Sequence, residues 1–137
     1  MNKLLLIIAS SILLTSCLKE GSNYISYTGY ISIDQLNLPD TARVGDVVQV
    51  FARGGAPNGC WSNLELMMTK QNDSVINITG IGRYETTDGI CTDVYQILDS
   101  TFKYKASKPG IVKFIGQSPN NIQIIDSLII LPSPQNN

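Results

Sequence analysis

The chain has 137 residues, 43% of them hydrophobic, which suffices for one domain with a hydrophobic core and is too short for two. Ten Lys and Arg residues against eleven Asp and Glu residues give a formal net charge of −1, so the sequence lacks the basic surface of a nucleic-acid-binding protein. The sequence contains no histidine, which excludes Ser-His-Asp and Cys-His catalysis, imidazole metal ligands and a histidine pH switch.

The N-terminal segment, residues 1–16, has the pattern of an export signal. Lys3 supplies a positive charge, an apolar run follows over residues 4–14, and small residues precede Cys17. A membrane-spanning helix needs about 20 apolar residues, so this run is too short to span a bilayer. The alternative that the pattern leaves open is an ordinary secretory signal followed by a chance cysteine.

The four residues Leu14-Thr15-Ser16-Cys17 resemble the lipobox of bacterial lipoproteins. The resemblance implies that the signal is cut before Cys17 and that the Cys17 thiol carries a diacyl lipid, often with a further acyl chain on the new amino group. Several acyl chains on one residue give stable anchoring, so we expect a permanently membrane-bound domain. Residue 18 is Leu18, whereas enterobacterial lipoproteins retained at the inner membrane have Asp there. The resemblance therefore indicates the outer membrane and leaves the periplasmic or cell-surface face open.

The chain after the signal divides into three parts. Residues 17–23 form the lipidated cysteine and a short polar tether, residues 24–131 form the folded domain, and residues 132–137 form a flexible tail.

Almost every segment of the folded domain has the composition and alternation of a β-strand. In chain order the predicted strands are YISYTGYISI (24–33), DVVQVFAR (46–53), CWSNLELMMT (60–69), SVINITGIGRY (74–84), QILDSTFKYKA (96–106), IVKFIGQ (111–117) and IQIIDSLIIL (122–131). KQND, residues 70–73, is predicted to be a hairpin turn, and a helical turn over residues 63–71 is the alternative. About seven or eight short strands separated by turns predict an antiparallel β-sandwich that resembles Ig-like domains.

Two cysteines remain once Cys17 is assigned to lipid. In an oxidising compartment Cys60 and Cys91 predict a disulfide, which by the chain-entropy model stabilises the fold by about 3 kcal/mol. Two cysteines without histidine are a poor zinc site, and a redox pair usually has C-x-x-C spacing. If residues 70–73 close a hairpin, Cys60 lies near Tyr84 across the ladder. Both cysteines then lie at the same end of the sandwich.

No catalytic residue, metal ligand or cofactor is predicted, apart from the covalent lipid. Glu85, Asp88 and Asp93 have the oxygen ligands that calcium prefers, but their spacing matches no calcium loop. A solvated polar loop is therefore our interpretation of this segment. Scattered carboxylates leave a hydrolase as an alternative function.

Four aspartates begin a D-(S/T)-(A/I/L/V/M/T) triplet, which resembles the acceptor of general O-glycosylation in Bacteroidota. The candidate acceptor hydroxyls are those of Thr41, Ser74, Ser100 and Ser127. The alternative is structural, because Asp-Ser and Asp-Thr pairs are frequent in turns.

The segment ARGGAPNGCW, residues 52–61, predicts an exposed and flexible loop that contacts a partner. The candidate contact residues are Gly54, Gly55, Pro57, Asn58 and Trp61. Trp61 has two interpretations, since tryptophan is frequent at binding hot spots and also fills hydrophobic cores. Loops at one end of a sandwich often bind partners.

Together these features predict a Bacteroidota-type lipoprotein whose β-sandwich is a non-catalytic binding or accessory module of the cell envelope. Its expected partners are the membrane, through the lipid, and an unknown envelope protein or glycan; nucleic acid is excluded. A loop-mediated protease inhibitor and a carboxylate-based envelope hydrolase are the alternatives.

Overall fold

A computed structural model describes residues 21–134 of the chain. The predicted signal peptide and the lipidation site Cys17 lie outside the described residues. The elements, in chain order, are β1 (Tyr24–Asn37), β2 (Thr41–Arg43), β3 (Val47–Ala56), β4 (Trp61–Asn72), β5 (Val75–Thr87), β6 (Gln96–Lys105), β7 (Gly110–Gln117), a 3-10 turn (Pro119–Asn121) and β8 (Gln123–Leu131). No helix within residues 21–134 has both the length and the apolar character needed to cross a membrane.

All seven predicted strands are present, and the hairpin between β4 and β5 turns at Asp73 and Ser74. The helical alternative for residues 63–71 is wrong, because this segment is the middle of β4. β2, a strand of three residues that pairs with β8, was not predicted. A segment this short shows no alternation that a sequence pattern could detect.

The larger sheet is built around β5. One edge of β5 pairs antiparallel with β4. The other edge is shared: β7 pairs with Val75–Thr79, and β1 pairs with Gly80–Thr87. β8 extends the sheet beyond β7, and β2 lies next to β8.

β1 belongs to both sheets. Its first half, Tyr24–Ile31, pairs with β5, and its second half pairs with β3, which in turn pairs with β6. A register shift between Ile33 and Gln35 marks the irregularity where the strand passes into the smaller sheet. Ser118 holds this crossing in place, since its Oγ accepts from the Ile33 N–H at 2.8 Å and donates to the Ile33 carbonyl at 3.2 Å.

The predicted all-β, sandwich-like fold is confirmed, but its strictly antiparallel pairing is wrong. β5 and β7 are parallel, and so are β2 and β8. The cause is that β1 covers only half of one edge of β5. The chain passes through β6 in the smaller sheet and returns as β7, in the same direction as β5, to cover the other half. Such a return through another layer is what parallel pairing requires.

The hydrophobic core lies between the two sheets and follows the alternation of the strands. The largest fully buried side chains are Phe114, Ile31, Ile76, Ile78, Leu128 and Val50. On β6, Phe102 and Tyr104 alternate with the exposed Lys103 and Lys105, as the sequence predicts. The second half of β1 approaches β7 closely, since a Cβ on Gly116 would lie 2.7 Å from Cγ2 of Ile33.

Candidate binding site

A disulfide between Cys60 and Cys91 joins the start of β4 to the loop that follows β5. The two Cα atoms are 5.3 Å apart, and the Glu85 N–H donates to the Cys60 carbonyl at 2.9 Å. Trp61 is paired with Tyr84 in the β4–β5 ladder. The predicted disulfide and its position at one end of the fold are therefore confirmed.

The predicted flexible loop over residues 52–61 is largely wrong. Gly54 and Gly55 are buried residues of β3. A Cβ on Gly54 would collide with the Ser32 carbonyl oxygen, and one on Gly55 would collide with the Gln96 carbonyl oxygen. These two glycines serve the close approach of neighbouring strands, so neither is available to contact a partner.

The connection between β3 and β4 is only the four residues Pro57–Cys60. Pro57 is exposed, and Asn58 is half-buried with its Oδ1 accepting from the Cys60 N–H at 3.1 Å. The Gly59 N–H donates to the Thr92 carbonyl at 2.9 Å, which ties this loop to the loop that carries Cys91. The loop is consequently short and braced.

Tyr95 attaches the Cys91 loop to β1. Its ring covers Gly55, and its hydroxyl donates to Oδ2 of Asp34 at 2.6 Å. Partial burial, together with the hydrogen bond to the Asp34 carboxylate, raises the pKa of Tyr95 to about 12. The phenol therefore stays protonated and continues to donate this bond at neutral pH.

Trp61 belongs to the core, with 9% of its surface exposed. Its ring centroid lies 5.9 Å from that of Tyr27 and 5.5 Å from that of Tyr84, both in edge-on arrangements. The indole also lies over Gly29, where a Cβ would be 3.0 Å from its Cη2 atom. Of the two interpretations of Trp61, burial supports the core residue, although the side chain also lines the cleft described next.

A surface cleft of about 400 Å³ lies beside β1, between the Pro57–Cys60 loop and the 3-10 turn. The residues that line it are Tyr27, Gly29, Tyr30, Ile31, Ser32, Pro57, Trp61, Pro119 and Asn120. None of these described residues is charged. A second hollow of about 290 Å³ adjoins the cleft, shares Tyr30, Pro119 and Asn120 with it, and is lined further by polar Gln117, Ser118 and Asn121.

The cleft exists because two chain segments turn away from β1 at this point. The β3–β1 register pairs Ser32 with Gly55, so its continuation would place Pro57 opposite Tyr30. Proline has no N–H and cannot extend the ladder. After β7, Asn120 and Asn121 adopt positive φ angles of 62° and 60°, which reverse the chain into β8.

The first half of β1 exposes an aromatic and aliphatic surface next to the cleft. Tyr30 is 66% exposed and Tyr27 is 50% exposed, and Tyr24 and Ile25 continue the same strand at 61% and 48%. Tyr27 is held in place by stacking on Tyr84, with ring centroids 5.0 Å apart. Side chains alternate along a strand, so Tyr24 and Tyr30 point to one face of the sheet and Ile25 and Tyr27 to the other. Of these four residues only Tyr27 and Tyr30 line the cleft, and exposed aromatic side chains beside a cleft are typical of an interaction surface.

No family model, curated protein or solved structure matches the chain. The assignment of a function therefore starts from the chemistry of the residues themselves.

The acidic residues near Cys91 are not brought together as a metal site. Glu85 accepts a hydrogen bond from the Tyr24 hydroxyl at 2.6 Å and pairs with Arg83 at 2.8 Å, and the Tyr24 bond in particular lowers the pKa of Glu85. Asp88 instead accepts from the Asn23 N–H. Within residues 21–134 no group of three or more Cys, Asp and Glu side chains is placed to hold a metal ion.

Three carboxyl groups of the described residues have clearly shifted pKa values, and all three shifts are downward. Asp73 has a pKa of about 2 because Lys108 and Lys70 donate to it, and the Arg53 hydrogen bonds lower the pKa of Asp99. The third is Glu85. A carboxyl group that acts as a general acid needs a raised pKa. These three groups have lowered pKa values and so are not suited to that role.

The four candidate glycosylation hydroxyls lie in different settings. Thr41 on β2 and Ser74 in the β4–β5 turn are exposed, whereas Ser100 on β6 and Ser127 on β8 are half-buried. Thr41 and Ser74 are therefore the more accessible positions for a modifying enzyme. Modification of any of the four stays a prediction.

Most of the residues that line the cleft were not predicted from the sequence as site residues. Tyr27, Gly29 and Tyr30 were assigned to a strand, but their position beside an open edge depends on where the neighbouring strands end. The available signal was the absence of charge from residues 24–33 in a strand that also carries three tyrosines.

Proposed function

We propose that this protein is a non-catalytic binding module of the cell envelope, held at the outer membrane by lipid on Cys17, and that its partner binds in the cleft beside Tyr27 and Tyr30. The lipobox-like residues before Cys17 support the anchoring. The uncharged, aromatic cleft is the observation that supports binding.

The segments around the cleft are joined to one another by covalent and hydrogen bonds, which favours binding. The disulfide, the Gly59–Thr92 hydrogen bond and the Ser118–Ile33 pair brace the segments around it. Binding to a preformed site avoids the entropic cost of ordering loops. Aromatic residues supply large contact areas with few rotatable bonds, which is why they are frequent at the centres of interfaces.

The two alternatives have less support. The protease-inhibitor hypothesis relied on a long glycine-rich loop, and Gly54 and Gly55 are buried in β3 instead. The hydrolase hypothesis relied on a pair of carboxylates, one of which must act as an acid. The three carboxyl groups with shifted pKa values, those of Asp73, Glu85 and Asp99, all have lowered pKa values, which favours their charged form.

A cross-linking pull-down from outer membranes tests the proposal with matched variants. Tyr30→Ala removes an exposed ring from the cleft, and Tyr24→Ala removes an equally exposed ring outside it. We expect wild type and Tyr24→Ala to recover the same partner, and Tyr30→Ala to recover at least ~10-fold less, as for an interface hot spot. Equal recovery by all three proteins would refute binding in the cleft.

A further inference from the structure

We propose that the first half of β1 binds an extended peptide segment of a partner protein as an added β-strand, with one apolar side chain of that peptide in the cleft. This inference rests on the proposed binding function and names the chemistry of the partner.

The first half of β1 has one open edge. Tyr24–Ile31 pairs with β5, and no other strand of residues 21–134 pairs with this half. Asp88 lies opposite Asn23 and donates its N–H to the Asn23 carbonyl at 2.9 Å. The odd-numbered residues of β1 therefore direct their backbone N–H and C=O groups toward β5. Backbone direction alternates along a strand. The residues whose N–H and C=O groups point away from β5 are therefore Tyr24, Ser26, Thr28 and Tyr30.

This edge lacks the usual protection against strand pairing. Proteins guard edges with charged side chains, proline or very short strands. β6 has exposed Lys103 and Lys105 along its length, β4 has exposed Glu65 and Lys70, and β2 has only three residues. The eight residues of β1 from Tyr24 to Ile31 contain neither a charge nor a proline. The backbone groups of this edge are thus available to an incoming strand.

The cleft lies at one end of the open edge and defines a position for a side chain. In an antiparallel ladder formed on this edge, the residue opposite Gly29 belongs to a closely spaced, non-hydrogen-bonded pair and points to the same face as Gly29. That face carries Tyr27 and Trp61, whose indole lies over Gly29, and the cleft opens beside these three residues. The partner residue at this point is therefore apolar.

The absence of charge from both the edge and the cleft lining indicates an uncharged peptide. Burying an unpaired charge against Tyr27, Ile31 and Trp61 would cost more than the added contacts return. A glycan could stack on the tyrosines, but it has no regular series of N–H and C=O groups to match those of Ser26, Thr28 and Tyr30. Strand addition uses both features, since main-chain bonds give affinity and a side-chain pocket gives specificity.

The test uses random nonapeptides displayed on phage, selected against the full-length chain in detergent. Thr28→Pro removes one outward-pointing N–H and leaves the β5 ladder intact, and Thr28→Ala removes the same side chain but keeps the N–H. We expect selected peptides to bind wild type and Thr28→Ala within ~2-fold and Thr28→Pro at least ~10-fold more weakly. Circular dichroism and thermal unfolding check that both variants are folded.

Amide hydrogen exchange on the wild-type protein gives a readout that does not depend on a variant. We expect the selected peptide to slow exchange at Ser26, Thr28 and Tyr30, which strand addition protects. Failure to select any peptide, binding of a glycan array without peptide binding, equal affinity of the two Thr28 variants, or unchanged exchange at these three amides would each overturn strand addition.

The two proposals can fail separately. If the pull-down depends on Tyr30 while Thr28→Pro recovers the partner as well as wild type, the cleft binds and strand addition is wrong. If the pull-down is the same for wild type and Tyr30→Ala, the proposed binding in the cleft is wrong.

Discussion

Trp61 and Tyr84 face each other across the β4–β5 ladder, with ring centroids 5.5 Å apart, and Tyr84 in turn contacts the disulfide. The Tyr84 Oη lies 3.3 Å from the Cys91 Sγ. A disulfide sulfur has no hydrogen to donate, so the tyrosine hydroxyl is the donor. The aromatic cluster beneath the cleft and the covalent bond beside it are thus one continuous structure.

Removal of the disulfide is expected to destabilise the domain. The bond spans a sequence separation of 31 residues, and the chain-entropy model gives about 3–4 kcal/mol for a loop of this size. We expect the Cys60→Ala/Cys91→Ala double variant to lose about this much unfolding free energy in urea denaturation. Reduction of the wild-type protein should give a loss of similar size. A change below about 1 kcal/mol in both would contradict a stabilising role for the bond.

Trp61→Ala is expected to be much more destabilising than a substitution at the exposed tyrosine of the cleft. Trp61 is 9% exposed and Tyr30 is 66% exposed. Truncating a buried Trp costs about 3–5 kcal/mol, whereas surface substitutions stay within about 0.5 kcal/mol. Thermal or urea unfolding of Trp61→Ala and Tyr30→Ala measures the difference. Similar unfolding free energies for the two variants would mean that Trp61 is not the core residue its burial indicates.

Much of the fold was predictable because alternation and turn residues are local signals. The alternation in YISYTGYISI puts Ile25, Tyr27, Ile31 and Ile33 on one face of the strand; Ile31 and Ile33 are buried, whereas Ile25 and Tyr27 are about half exposed. KQND located the hairpin that brings Cys60 close to Tyr84. The cysteine pairing was predictable because only Cys60 and Cys91 remain once Cys17 is assigned to lipid, and the hairpin placed them at the same end of the fold.

The remaining features depend on tertiary arrangement. Glycine in a loop and glycine under a neighbouring strand look alike in sequence, which is why Gly54 and Gly55 were misassigned. The division of the β5 edge between β1 and β7 depends on the bend near Asp34 and on Ser118, which lies 85 residues along the chain from its partner Ile33. The cleft lies where the chain turns away from β1 at Pro57 and at Asn120, so its position depends on the tertiary arrangement, and the uncharged composition of residues 24–33 was the one local signal.

Lipidation of Cys17 is expected to decide where the protein resides. Because the lipobox-like residues resemble those of lipoproteins, we expect wild type to incorporate labelled palmitate and to sediment with outer membranes. Cys17→Ala should lose the label and shift to the soluble fraction or remain uncleaved. Cys60→Ala is the matched control, because it removes a cysteine that belongs to the disulfide, and it should keep the label. Palmitate labelling of Cys17→Ala, or full membrane association of its cleaved form, would contradict the lipoprotein assignment.

Asp73 is expected to make stability depend on pH in the acid range. Lys108 and Lys70 each donate to its carboxylate at 2.6 Å and lower its pKa from the ordinary 3.8 to about 2. A lowered folded-state pKa contributes stability that is fully present above the unfolded value. That contribution is lost as the pH falls from about 4 to about 2.

The carboxyl resonance of Asp73 in an NMR titration measures this shift directly. We expect a midpoint near pH 2 at low salt, and a higher midpoint in Lys108→Met or in about 1 M salt, because exposed ion pairs are screened. Asp73→Asn should have a flatter stability curve than wild type between pH 2 and 4, while the pH dependence above pH 5 stays the same. A wild-type midpoint close to 3.8 at low salt would show that the two lysines do not hold Asp73 in solution.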